Sequence, residues 1–288
     1  MKKAMLYGLV ICLALVVGLP GAGVAKEWKK VRVATEGAYP PWNATAADGK
    51  LYGFDIDVIN EVCRRMSLEC EIIPQAWKGI IPGLTGGKYD LIIAGMQATP
   101  KRLEVIDFAG PYAKTPGSFA TLKSSPLADF KSSLEGVTLN DITPPEQSVI
   151  DELRNLLKGK VIGVQTTTTH SNFLDTYFKD IATIRKYDSQ ENVLLDLNAG
   201  RIDAAEASLS YWVPLMQKEQ GANLALFGPA WTGDIFGLGN GVGVRKEDQD
   251  LKAIISEGLA QMRADGTIQK LAIQWFGFDN SPKEGGSF

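Results

Sequence analysis

The sequence predicts an α/β protein of two lobes, each a mostly parallel sheet covered by helices. Three observations predict it. Short apolar runs alternate with helically spaced ones along most of the chain, the pattern of βαβ units. A chain of 288 residues with 45% hydrophobic and 22% charged content has room for two ordinary domains, each with its own core. Two breaks, Thr115-Pro116-Gly117 and Gly228-Pro229, fall where the chain would cross from one lobe to the other and return.

The first segment is not part of the fold. Lys2 and Lys3 precede an apolar run from Ala4 to Leu19, and Gly23-Val24-Ala25 places small residues where a signal peptidase cuts, so residues 1–25 read as a secretory signal. The run is shorter than the ~20 residues of a comfortable membrane span. Val10-Ile11 ahead of Cys12 lack the small residues of a lipoprotein site. Cleavage takes away two lysines and no acid, so the net charge moves from −3 to −5. With 30 basic against 33 acidic residues there is no cationic excess for a nucleic-acid backbone.

Val31–Ala34 alternates as a strand, and behind Gly53 the residues Val58, Ile59, Val62, Cys63 and Met66 recur with helical spacing. Glu71–Ile73 and Asp90–Ala94 are further short strands, with a short helix over Gly79–Leu84 between them. A new strand, Ser118–Leu122, opens the second lobe after the first crossing. There Pro144-Pro145-Glu146 start a helix whose apolar stripe runs through Val149, Ile150, Leu153, Leu156 and Leu157. Strands are expected at Val161–Val164, Ala182–Ile184 and Asp203–Ala207, and helices near Thr168–Phe178, Asn192–Ala199 and Trp212. Leu224–Phe227 leads to the return crossing, strand Gly241–Arg245 follows, and two amphipathic helices close the chain. The expected organisation is residues 26–115 and 229–288 for the first lobe and 116–228 for the second.

Several chemistries are excluded. Gly83–Lys88 departs from a phosphate loop because its leading glycine is misplaced and Tyr89 stands where a Ser or Thr must hold magnesium. Gly237–Gly243 lacks the third glycine of a dinucleotide fingerprint and reads as a tight interlobe loop. His170 has no nucleophile elbow beside it and reads as a solvated or structural histidine. Once the signal is removed, Cys63 and Cys70 remain, seven apart; in an oxidising compartment they are expected to form a disulfide. One histidine and no further thiols leave no metal site, and no cofactor is expected.

Three stretches carry a resemblance. They are Thr35-Glu36-Gly37-Ala38-Tyr39-Pro40-Pro41-Trp42 leading into Gly53-Phe54-Asp55-Ile56-Asp57; Trp77–Leu84 leading into Tyr89-Asp90 and Thr99-Pro100-Lys101-Arg102; and Gly243–Asp248 with Met262–Thr267. In this order they resemble the polar amino-acid-binding proteins of bacterial ABC importers, bacterial extracellular solute-binding protein family 3, over essentially the whole mature chain. The resemblance implies a type II periplasmic binding protein, two lobes joined by two crossing strands, and a ligand held between them. Cys63 and Cys70 also match a disulfide of that family's cationic amino-acid and opine binders.

A zwitterionic amino acid needs a fork for its carboxylate, acceptors for its ammonium and a surface for its side chain. Arg102 resembles the carboxylate clamp, since a guanidinium gives two parallel charge-assisted hydrogen bonds. Thr168 and Thr169 match positions at a helix N-terminus that faces the anion. Tyr39 and Trp77 match the two aromatics that sandwich a flat cationic side chain, and Glu36 matches the acid that receives its distal charge. Two positions depart from the pattern. Ser208 replaces the aspartate for the α-ammonium, with Glu206 two residues earlier on the same strand face. Gly95, followed by Met96 and Gln97, replaces a serine beside the carboxylate and opens space.

The resemblance thus implies a monomeric periplasmic receptor, not an enzyme, that binds a basic, arginine-like amino acid and delivers it to an inner-membrane ABC permease. The departures admit, as an alternative, an opine, in which a second acid is joined to arginine through the α-nitrogen. A dehydratase on the same architecture is the enzymatic alternative, with Glu36 and Glu206 as its acid/base candidates.

Overall fold

The computed structural model describes residues 27–283 and Phe288. The signal segment and Cys12 lie outside the described residues.

The first lobe is a five-stranded sheet in the order Glu69–Pro74, Lys30–Thr35, Leu91–Ile92, Asn240–Val244, Asp107–Ala113. The first three are parallel, and Asn240–Val244 runs antiparallel to both of its neighbours. Alternation along the first strand sends Val31 and Val33 into one core and Ala34 into the other. On the first face lie helices Phe54–Arg65, Gln249–Ala264 and Thr267–Phe276, which supply Val58, Ile59, Val62, Leu251, Ile255, Leu259 and Phe276. Trp77, Ile80 and Leu84 cover the other face.

The second lobe is a six-stranded sheet in the order Thr183–Tyr187, Val161–Gln165, Ala204–Ser208, Gly117–Leu122, Leu224–Thr232, Gly136–Thr138. Helices Pro144–Leu156 and Thr169–Tyr177 pack on one face around Phe119, Phe173 and Trp231. Helices Gln190–Asn198 and Leu209–Met216 pack on the other face around Leu197, Tyr211 and Trp212. Each parallel strand is therefore covered on both sides, the condition under which such sheets occur.

The first crossing falls at Lys114–Pro116, between Asp107–Ala113 of one sheet and Gly117–Leu122 of the other. The second differs from the expected boundary at 228/229. Gly228, at φ 74°, only bulges the strand, whose register shifts between Phe227 and Trp231; pairing then resumes with Gly136–Thr138. Trp231 and Phe236 are buried in the second lobe's core, so the chain returns at Gly237–Gly239 instead. Strand Asp107–Ala113 and the small sheet Ala38–Tyr39, Asn43–Thr45, Leu51–Tyr52 were not expected from the sequence; interrupting Gly and Pro residues break their apolar pattern.

The disulfide is present: Cys63, near the end of helix Phe54–Arg65, is bonded to Cys70 on the edge strand, with 6.2 Å between Cα atoms. Closing so short a loop contributes about 2–3 kcal/mol by the chain-entropy argument. Replacing both cysteines by serine is expected to lower unfolding stability by about that amount in urea titrations. Solute affinity should not change, because the bridge sits at the outer edge of the sheet.

Candidate functional site

A nearly closed cavity lies between the lobes. The first lobe lines it with Glu36, Tyr39, Trp42, Trp77, Ala94, Gly95 and Gln97, the second with Gln165, Thr168, His170, Gln190 and Ser208, and the first crossing adds Thr115. Most of these residues follow the ends of parallel strands, where the loops of open α/β sheets hold ligands. Glu36 and Tyr39 follow Lys30–Thr35, Gly95 and Gln97 follow Leu91–Ile92, and Thr168 and His170 follow Val161–Gln165.

The lobes are shut on each other through side chains of the cavity wall. Tyr39 Oη and Ser208 Oγ are 2.6 Å apart, and Tyr39 stacks on Tyr211 at 5.0 Å between ring centroids, the planes 2° apart. Gln165 Nε2 donates to Glu36 Oε1 at 2.6 Å. Thr169 Oγ1 donates to Gln97 Oε1 at 3.1 Å, and Trp42 Nε1 donates to Ser210 Oγ at 3.1 Å.

Arg102 stands at this interface on the short helix Pro100–Leu103, started by Thr99, whose hydroxyl accepts from the Arg102 backbone N–H. Its guanidinium carbon sits 5.4 Å from the Trp77 ring centroid. One terminal nitrogen donates to Gln97 O at 2.8 Å and the other, across the cleft, to Thr167 O at 3.3 Å. A guanidinium carries five N–H donors, so three remain for an incoming acid. Burial lowers its pKa to about 10, which leaves it charged at neutral pH. The Arg102 side chain lines a second cavity that adjoins the first at Trp77.

Glu36 is half-buried, and burial pushes its carboxyl up to about 7 against the opposing hydrogen bond from Gln165. Glu206 is fully buried and does not line the cavity; it stands behind His170, whose Nδ1 is 2.6 Å from Glu206 Oε2. Burial raises the Glu206 carboxyl and His170 opposes that shift. Thr168 caps helix Thr169–Tyr177 by accepting from Ser171 N at 3.0 Å, and it also lines the cavity.

The structure brings Glu36, Tyr39, Trp77, Gly95, Gln97, Thr168 and Ser208 to one cavity. Arg102 and Thr169 are set at its margin, and Glu206 behind it. Met96 does not line this cavity; fully buried in the first lobe's core, it lines the second one together with Trp77 and Arg102. His170 is buried on the cavity wall rather than solvated, 5.4 Å from the Phe236 ring. Trp42, Gln165 and Gln190 are lining residues not singled out from the sequence. Trp42 stood inside the quoted Tyr-Pro-Pro-Trp stretch, whereas the two glutamines belong to no pattern.

Residues 31–278 match the family model of bacterial extracellular solute-binding proteins, family 3. The chain belongs to this family. Among curated members it is similar to the octopine-binding periplasmic protein of Rhizobium meliloti, 39% identical over 95% of this chain and 98% of that one. It is also similar to the histidine-binding periplasmic protein of Salmonella typhimurium, 32% identical over 97% and 98% of the two chains. Among solved structures, an ancestral arginine-binding protein bound to arginine superposes with a TM-score of 0.71 at 29% identity, covering 86% of this chain and 98% of that one. The two-lobed α/β architecture is thus shared with that arginine-binding protein.

Proposed function

We propose that this family 3 protein is the periplasmic receptor of an ABC importer and that its solute is an arginine-derived opine. The observation that carries the reading is the charge layout of the cleft. Glu36 offers a carboxylate beside two aromatic faces, the surroundings a guanidinium side chain needs, and Arg102 offers a fork for a carboxylate at the other side of Trp77. Between them, where a free α-ammonium would call for a carboxylate, the cavity wall presents the hydroxyl of Ser208, already bonded to Tyr39. The remaining acid, Glu206, is held by His170.

An N-substituted α-nitrogen loses little by meeting a hydroxyl. Its second acid meets polar groups at His170, Thr168 and Gln190, which share one wall, and Glu206 behind His170 holds the imidazole in place. The 39% identity to an octopine-binding relative supports the same solute class. Binding between the lobes stabilises the shut state, which is the form a permease would read.

Isothermal titration of the mature chain with octopine and with L-arginine tests this. Octopine is expected to bind at least tenfold more tightly. His170→Ala should cost octopine about tenfold and arginine less than threefold, the difference being one hydrogen bond to a charged group. Equal affinity for both solutes, unaffected by His170→Ala, would return the assignment to a plain arginine receptor.

A further inference from the structure

We propose that Asp55 is a positioning residue for the solute cavity, its buried carboxylate serving as the common anchor of the two first-lobe loops that carry Glu36, Tyr39 and Gly95. The inference rests on reading the cavity as the solute site, but the anchoring itself is independent of which solute enters.

Asp55 is fully buried at the start of helix Phe54–Arg65 and does not touch the cavity. An acid in a first turn ordinarily faces solvent and the helix's own N–H groups. This one faces the back of the cleft. Its Oδ2 accepts from Asn43 Nδ2 at 2.8 Å, and Asn43 Oδ1 in turn accepts from the backbone N–H of Gly37, next to Glu36, at 2.7 Å. Its Oδ1 accepts from Tyr112 Oη at 2.7 Å. The backbone N–H of Gly95, in the turn that lines the cavity, lies close enough to oppose the rise of the Asp55 carboxyl, and it acts on the Tyr112 hydroxyl in the same way. The Asp55 backbone N–H donates to Trp42 O at 2.8 Å, which fixes the far end of the Glu36 loop.

Every partner is a donor, so the network suits an acceptor-only carboxylate, and all three anchored points lie beside cavity residues. Burial without a facing cation pushes the Asp55 carboxyl up to about 7, a cost that an apolar residue at the same place would avoid. What the polar group supplies in exchange is orientation: two loops from different strand ends are held at fixed distances behind Glu36 and Gly95.

The test compares Asp55→Asn with the reciprocal exchange Asp55→Asn/Asn43→Asp. The single variant places an amide N–H₂ against donors. The exchange restores the count. The new amide at position 55 would donate to the new carboxylate at position 43, which would still accept from the Gly37 N–H, and the amide carbonyl at position 55 would accept from Tyr112. With octopine and L-arginine as probes at a temperature where circular dichroism shows both variants folded, Asp55→Asn is expected to weaken binding at least tenfold. The exchange should return affinity to within threefold of wild type. Amide hydrogen exchange at Gly37 and Gly95, read without any solute, should accelerate in Asp55→Asn and recover in the double variant.

Unchanged affinity and unchanged exchange at these two amides, with only the melting temperature lowered, would reduce Asp55 to a structural residue and overturn the proposal. If Asp55→Asn does not fold, Tyr112→Phe, which removes one donor and keeps the carboxylate, carries the same two measurements. Should the wild-type chain bind neither probe, the opine reading fails while the exchange rates still decide the anchoring.

Discussion

Arg102→Ala is expected to weaken binding of an arginine-type solute at least a hundredfold in isothermal titration. Truncating one partner of a largely desolvated, hydrogen-bonded charge pair costs about 2–5 kcal/mol, and a hundredfold corresponds to about 2.7 kcal/mol. The effect should exceed the loss of a single contact because Arg102 does three things at once. It offers free N–H donors to an acid, stacks on Trp77, and ties the first lobe to Thr167 O of the second. Arg102→Lys keeps the charge but loses the planar fork, so it should recover only a small part of the affinity. Binding undiminished in Arg102→Ala would show that the acid group is held elsewhere in the cleft.

Glu36→Gln is expected to abolish a pH dependence that the wild-type protein should show. Burial holds the Glu36 carboxyl up at about 7, so below that pH it is largely protonated, and a cationic solute must expel the proton to use it. Affinity should therefore rise by up to about tenfold per pH unit between pH 5 and 7 and level off above, because one proton is released on binding.

The same raised carboxyl works in the opposite direction on folding. The folded chain holds this proton more tightly than the unfolded one, whose carboxyl titrates near ~4.3, so its stabilising contribution is present at acid pH and is lost as pH rises through about 7. A bound guanidinium compensates the ionised form, and solute should therefore raise the melting temperature more at pH 8 than at pH 5.5. In Glu36→Gln the affinity should be flat with pH and about 10–100-fold weaker at pH 8, the worth of a hydrogen bond to a charged group. A wild-type affinity that does not vary between pH 5 and 8 would remove Glu36 from the cation's surroundings.

The lobes, most of their strands and the helix stripes were legible because period-2 and period-3.6 patterns survive wherever an element is buried on a definite face. Val31 and Val33 against Ala34, or Val149, Ile150 and Leu153 along their helix, need no knowledge of the rest of the molecule. The second crossing was misplaced for a local reason. Gly228-Pro229 carries the composition of a break, and only the distant partner Gly136–Thr138 tells that the strand goes on. In the cleft, residues that matched a motif could be named, but Gln165, Gln190 and His170 take their place from long-range packing. His170 is turned onto the cavity wall by Glu206 on another strand and by Phe236 sixty-six residues further along. Met96 shows the converse: membership of a matching stretch does not say which of the two adjoining cavities a residue meets, and core packing sets Met96 beside Arg102 in the second.

The bonds that hold the lobes shut involve groups that a solute would also want. Gln165 already presents an amide to Glu36, and Gln97 already presents a carbonyl to Thr169. On the proposed reading, the protein thus carries internal imitators of its solute, one for the guanidinium end and one for the acid end. A candidate molecule is ranked not against water but against these two glutamines. Near-miss compounds with a weaker cation or a misplaced acid would then be turned away by the protein's own side chains.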